Sequence, residues 1–147
     1  MKSMISWTIR HIPRKYLQLF SHFFLKIAVI LYRGKNVSCN ICQKSFSKFL
    51  PYGRIARENA LCPNCLGLER HRLMWLFLQR ETDFFSAQKK VLHVAPELCF
   101  LNRFKKLKNL KYITGDIESP LAEVKMDIHQ IPFPDNSFDV VFCNHVL

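Results

Sequence analysis

The feature that most constrains this chain is a recurrence of short apolar runs through its last third, residues 91–147. Residues 138–143 (FDVVFC) are rich in β-branched and aromatic side chains, and such a run, bounded by turn residues, reads as a strand buried on both faces. Pro132, Pro134, Asp135, Asn136 and Ser137 supply the turn before it: proline fixes φ, and Asp, Asn and Ser side chains bond back to the backbone. Residues 89–95 (KKVLHVA) and 110–114 (LKYIT) repeat the theme. The gaps between runs leave room for a helix in each. Strands alternating with helices predict a parallel, doubly wound α/β sheet.

In such sheets ligands sit at the carboxyl ends of the strands. The residues expected there are 95–97 after the first strand, Asp116 after the second, Asp127 after the third, and Asn144 with His145 after the fourth. An acid ending the second strand is placed to accept both ribose hydroxyls of a nucleoside. A second acid beside a turn can accept from an exocyclic adenine amine. This reads as a nucleotide-like ligand.

Residues 115–119 (GDIES), followed by 126–147 (MDIHQIPFPDNSFDVVFCNHVL), resemble the class I S-adenosylmethionine-dependent methyltransferases of the type 11 family. The resemblance covers roughly residues 91–147, and IPFPDNSFDVV is its specific part. It implies that Asp116, with Ile117 beside it, binds the ribose, and that Asp127 with Ile128 cradles the adenine. It also implies that the loop 95–99, with Ala95, Pro96 and Glu97, meets the methionine moiety. The family's first loop is usually glycine-rich and preceded by an acid, so that backbone can approach the ligand. Here VLHVAPELC has no glycine, and His93 stands where the acid would be. HVAPE resembles the variant of a bacterial branch whose members carry a cysteine-rich amino-terminal segment. The alternative is that Pro96 and Glu97 only start a helix, since proline suits a first turn and an acid suits its positive end.

Cys39-x2-Cys42 and Cys62-x2-Cys65 form the strongest local signal. A two-residue gap lets a tight turn bring both sulfurs to one metal, and two such knuckles complete a tetrahedron. Four thiolates favour structural Zn²⁺ in a zinc ribbon, with the intervening residues, including Tyr52 and Gly53, making a short hairpin. Cys99 and Cys143 read as plain buried thiols. No disulfide framework is implied, so the expected compartment is reducing and cytoplasmic. Residues 67–81 (GLERHRLMWLFLQRE) follow as a helix, apolar on all sides over 73–78. Within it ERHR (69–72) reads either as a phosphate- or carboxylate-binding triplet or as a solvated face, and His71 as a fifth zinc ligand is the poorer alternative. CPNC followed by LERHRLMWLFL again resembles that bacterial branch, whose usual pattern has glycine where Leu66 stands.

The organisation expected is a basic amphipathic helical segment over 1–35, the zinc ribbon with its following helix over 36–82, and the amino-terminal part of the methyltransferase domain over 83–147. Residues 14–32 (RKYLQLFSHFFLKIAVILY) place Leu17, Phe20, Phe24, Ile27 and Leu31 along one helical face. This helix either packs on the catalytic domain or lies on an anionic membrane surface with Arg10, Arg14, Lys15 and Lys26 toward the headgroups. It is too short and too charged for a transmembrane span. The 22 Lys+Arg against 11 Asp+Glu give +11, which four zinc-bound thiolates would reduce to about +9; nucleic acid, membrane or an acidic substrate fit such a balance. Arg103, Lys105, Lys106 and Lys108 read as a solvated helix face.

The leading expectation is a methyltransferase with an unidentified acceptor, Asn144 and His145 being the acceptor-side candidates. The alternative is a zinc-ribbon nucleic-acid-binding protein or an RNA methyltransferase, in which Phe46, Phe49, Tyr52 and Arg54 stack on bases or meet phosphates. The sheet of such an enzyme resembles seven strands, so the chain reads as a fragment, inactive alone, with an exposed sheet edge.

Overall fold

A computed structural model describes residues 27–144, and the chain divides into two compact units. Among the described residues, one comprises 27–39 and 43–64, the other 40–42 and 65–144. Most of the amphipathic segment 14–32 lies outside the described residues. Its end, 27–31, is helical, with Ile30 and Leu31 exposed. No helix among the described residues is long and apolar enough to cross a membrane.

The first unit is built from two antiparallel pairs. Strand β1 (Arg33–Ser38) pairs with β2 (Ser45–Phe46), and β3 (Leu50–Tyr52) with β4 (Arg57–Leu61). The turn between β3 and β4 begins at Gly53, whose φ of 113° is accessible to a residue without a Cβ. Asn59 Oδ1 accepts the Phe49 N–H at 3.1 Å. Phe46 and Phe49 are buried against each other, their ring centroids 6.2 Å apart.

The second unit holds helix α1 (Glu69–Arg80), strand β5 (Lys89–Val94), helix α2 (Leu98–Phe104), and strands β6 (Leu110–Asp116), β7 (Val124–Lys125) and β8 (Val140–Cys143). The strands form one parallel sheet in the order β7-β6-β5-β8. The chain runs outward from β5 through β6 to β7, then returns to the opposite side of β5. That reversal puts a topological switch point between β5 and β8, where open α/β sheets bind ligands. This is a Rossmann-like parallel sheet, as the alternation of runs predicts.

The core on one face is aromatic. Phe100 and Phe104, one turn apart on α2, stack at 5.3 Å with planes 2° apart. Trp75 of α1 lies parallel to both, and Phe84 and Phe142 close the edges. On the other face Leu92, Val94 and Met126 pack with Ile113, Val124, Ile128, Phe133 and Phe138. Gly115 makes this close: a Cβ there would fall 2.5 Å from Met126 Sδ.

Four expectations are corrected. The last strand is not buried on both faces: Val141 is 55% exposed and Cys143 is exposed, because β8 is the edge of the described sheet and residues two apart share its uncovered face. Cys143 is therefore not a buried thiol, whereas Cys99 is. Nor is α1 apolar contact on all sides; Leu73 and Phe77 are 69% and 55% exposed, one turn apart on its outer face. Finally, β6 and β7 are joined by turns rather than a helix. Asp116 Oδ1 captures the N–H groups of Glu118 and Ser119 at 2.8 and 2.7 Å, an Asx turn that competes with helix formation.

Candidate functional site

The carboxyl ends of β5, β6 and β7 enclose a cleft of about 350 Å³, lined by Val94, Asp116, Ile117, Met126, Asp127, Ile128 and His129. Val94 and Met126 form an apolar floor, and two carboxylates stand at the polar rim. Asp116 ends β6, where its Asx turn fixes the side chain. Asp127 Oδ1 accepts the His129 N–H at 2.9 Å and meets His129 Nδ1 at 2.7 Å. The backbone bond and then the side-chain contact with His129 hold the Asp127 carboxyl below its ordinary value. In each acid the bonds recorded fall on Oδ1, so Oδ2 is the oxygen left to face a ligand. The four residues Asp116, Ile117, Asp127 and Ile128, read separately from sequence, thus line one cavity.

The loop after β5 is organised differently. Ala95 has φ of 49°, the left-handed conformation that glycine adopts without cost and that an L-residue resists. Pro96 is buried and Glu97 is the N-cap of α2. The Glu97 carboxylate makes no capping bond, so starting the helix is not what its side chain does. It bridges strands instead: Oε2 lies 2.6 Å from His93 Nε2, and Oε1 accepts from Asn144 Nδ2 at 3.2 Å, across the β5–β8 switch point. His93 is fully buried among Phe100, Phe104, Tyr112 and Phe142, and its Nδ1 lies 2.6 Å from the Tyr112 hydroxyl. One proton arrangement satisfies all three groups, with Tyr112 donating to Nδ1 and Nε2–H donating to Glu97. Burial raises the Tyr112 hydroxyl well above its ordinary value, and the Glu97 charge adds to this, in keeping with a donor. Burial alone would push the Glu97 carboxyl up. The hydrogen bonds from His93 and then Asn144 outweigh it and hold the group ionised below the usual range.

His71 completes the cluster. Its Nδ1 accepts the Leu68 N–H at 3.1 Å and lies 3.4 Å from Cys99 Sγ, while Nε2 faces Glu97 Oε1 at 3.6 Å. Reasoning from sequence did not find the parts played by Tyr112 and His71. The spacing Leu68-x-x-His71 was the one available signal, since a polar residue three positions into a helix can reach back to the cap N–H. Arg72 of the ERHR triplet donates to the Gly67 carbonyl at 2.9 Å. His145 lies outside the described residues.

The Sγ atoms of Cys39, Cys42, Cys62 and Cys65 all lie within 4.8 Å of one another. A tetrahedral Zn²⁺ with Zn–S near 2.3 Å needs sulfurs about 3.8 Å apart, so this donor set fits such an ion with small adjustments. In each pair the residue after the second cysteine has positive φ, 58° at Gln43 and 61° at Leu66. The first turn is closed by Gln43 N–H to Cys39 O at 2.7 Å.

The aromatic residues proposed from sequence to stack on bases do not form a set. Phe46 and Phe49 are 2% and 5% exposed, because they are the first unit's own core; only Tyr52 and Arg54 face solvent.

Residues 82–147 match the model of a family described as a methyltransferase domain, of type 11. The match supports a methyltransferase. It begins before β5 and takes in every strand of the parallel sheet, both acids of the cleft and the Ala95–Glu97 loop. No curated protein and no solved structure matches the chain.

Proposed function

We propose that the cleft at the carboxyl ends of β5, β6 and β7 binds S-adenosylmethionine, and that the protein transfers its methyl group to an acceptor. The observation that carries this is the convergence of Asp116, Ile117, Asp127 and Ile128 on one 350 Å³ cavity. Asp116 accepts the ribose hydroxyls, and Asp127 accepts the adenine amine while Ile128 and Ile117 bound the ring. Bound S-adenosylmethionine supplies a methyl group already made electrophilic by its sulfonium. The protein's work is then alignment and exclusion of water. The loop Ala95–Glu97, which follows Val94 of the cleft floor, is proposed to meet the methionine moiety, with His93 holding Glu97 in place as a negative charge near a cationic ligand. Asn144, which follows β8, and His145 are proposed as the acceptor-side residues.

The four cysteines are proposed to hold one structural Zn²⁺ in a ribbon, which leaves no coordination position for chemistry. Thiolates in that role fit a reducing, cytoplasmic setting. An anionic membrane surface, through residues 14–32, is a further partner that vesicle flotation would test.

Calorimetric titration of S-adenosylmethionine tests the cofactor site. A lost charge-assisted hydrogen bond is worth about 1.5–3 kcal/mol, so Asp116→Ala is expected to weaken binding by about 10-fold to more than 100-fold with the fold intact. Equal affinity for variant and wild type would remove Asp116 from the site.

A further inference from the structure

The opposite end of the same sheet carries a second cleft, of about 310 Å³, formed where the strands begin. Its lining includes Lys89 and Lys90 at the start of β5, Lys108 and Lys111 flanking the start of β6, Leu110, and Asp139 just before β8. Four cations thus face one carboxylate. That carboxylate, though exposed, is tied to the strand: Asp139 Oδ2 accepts the Lys90 N–H at 2.7 Å, and Asp139 N–H returns a bond to Lys90 O at 2.9 Å. Lys89 pairs with Asp83 at 2.8 Å. Among the described residues, none of Lys90, Lys108 and Lys111, all exposed, has a carboxylate at ion-pairing distance. The wall between them is fixed, because Asn109 Nδ2 donates to Phe84 O and Ala87 O at 2.9 and 2.7 Å and Asn109 O accepts from Lys89 N–H.

We propose that this cleft binds the phosphodiester backbone of a single nucleic-acid strand. Three unneutralised ammonium groups around a rigid concavity match a row of phosphates, which lysine meets as point charges. No aromatic side chain lines the cleft, so it offers phosphate contacts without base stacking. A bilayer is the poorer fit: the surface is concave, and its sole apolar lining residue, Leu110, is half-buried and gives no anchor for insertion. Five residue steps along β5 separate this end from Val94, about 17 Å at 3.3 Å each. A mononucleotide held by the lysines could not reach the other cleft, whereas a strand of several nucleotides spans that length. The choice of a strand over a mononucleotide rests on the proposed function of the other cleft; the binding test below does not.

The test is fluorescence anisotropy of the full zinc-loaded chain with a labelled 20-nucleotide single-stranded RNA, between about 50 and 200 mM salt. Each phosphate neutralised on a single strand contributes about 0.7 to the slope of log affinity against log salt. Wild type is expected to bind, and the triple variant Lys90→Gln/Lys108→Gln/Lys111→Gln to lose about 2 from that slope and at least 10-fold in affinity at the lowest salt. The corresponding triple glutamate variant is expected to lose more. If it fails to fold by circular dichroism, the glutamine variant decides. Absence of RNA binding by wild type overturns the proposal, as does an unchanged slope in the folded glutamine variant. So does a slope lost in Arg54→Gln instead, or binding confined to inorganic tripolyphosphate or to vesicles containing phosphatidylserine.

Discussion

The two units secure their strands by different means. In residues 33–64 the strands run two to six residues, and the buried apolar side chains there are chiefly Ile41, Phe46, Phe49, Ala60 and the cysteines. Isolated two-stranded ribbons of this kind are marginal in water. The parallel sheet instead has a stack of rings on one face and an aliphatic layer on the other. The first unit's short strands have no layered core of that kind. The comparison teaches that a single perturbation should separate them, if the four cysteines hold the proposed Zn²⁺ and the rings order the sheet independently of it.

The largest effect expected is loss of the proposed Zn²⁺. Structural zinc sites contribute about 10–16 kcal/mol of folding free energy in isolated peptides. Cys62→Ser, or a strong chelator, is expected to remove one Zn²⁺ per chain and leave the amides of β3 and β4 unprotected against hydrogen exchange. The amides of β5 and β6 should stay protected. Full protection of β3 and β4 without metal would erase the contrast. The converse change is Phe104→Ala, which empties the centre of the ring stack. It should cost about 3–5 kcal/mol in denaturant unfolding of the sheet, with zinc content unchanged. A simultaneous loss of zinc would mean that the two sources of order are not independent.

A smaller effect follows from Glu97. Its carboxyl is held below the ordinary 4.5, so the folded state binds fewer protons than the unfolded one in that range. The stabilisation is fully present above the unfolded value and is lost as pH falls through the folded value. Stability of the sheet should therefore decline below about pH 4.5, and Glu97→Gln should flatten that part of the profile. An unaltered acid limb in the variant would assign the dependence to other carboxylates.

What was legible in the sequence was whatever repeats locally. The runs at 89–95 and 110–114 gave β5 and β6 because strand burial leaves a continuous apolar signature, and the two Cys-x2-Cys pairs announced a sulfur cluster through their spacing. Asp116 could be placed because it ends a run. The rest depends on register and layers. Tyr112 reaches His93 only because β5 and β6 pair with Val91 opposite Tyr112; nothing in KKVLHVA or LKYIT states that alignment. The exposure of Val141 and of Leu73 is decided by which faces are covered, and an apolar residue does not report its covering in advance. The cluster around Glu97 draws on α1, β5, β6 and the end of β8, so no single segment could reveal it.

The smallest effect concerns two turns that use an L-residue in a left-handed conformation, Leu66 after the second cysteine pair and Ala95 after β5. The left-handed region costs an L-residue about 1–2 kcal/mol, while glycine gives back roughly 0.5–1 kcal/mol through unfolded-chain entropy. Leu66→Gly and Ala95→Gly are therefore each expected to stabilise by about 0.5–1 kcal/mol, read from the denaturant midpoint at constant slope. The two should differ in function. Leu66→Gly relieves a turn beside the cysteines and should leave S-adenosylmethionine affinity unchanged. Ala95→Gly alters the loop that leads to Glu97 and should change that affinity as well. Equal effects on stability with no effect on affinity from either would show that the backbone at Ala95 is held by its sheet rather than tuned for the ligand.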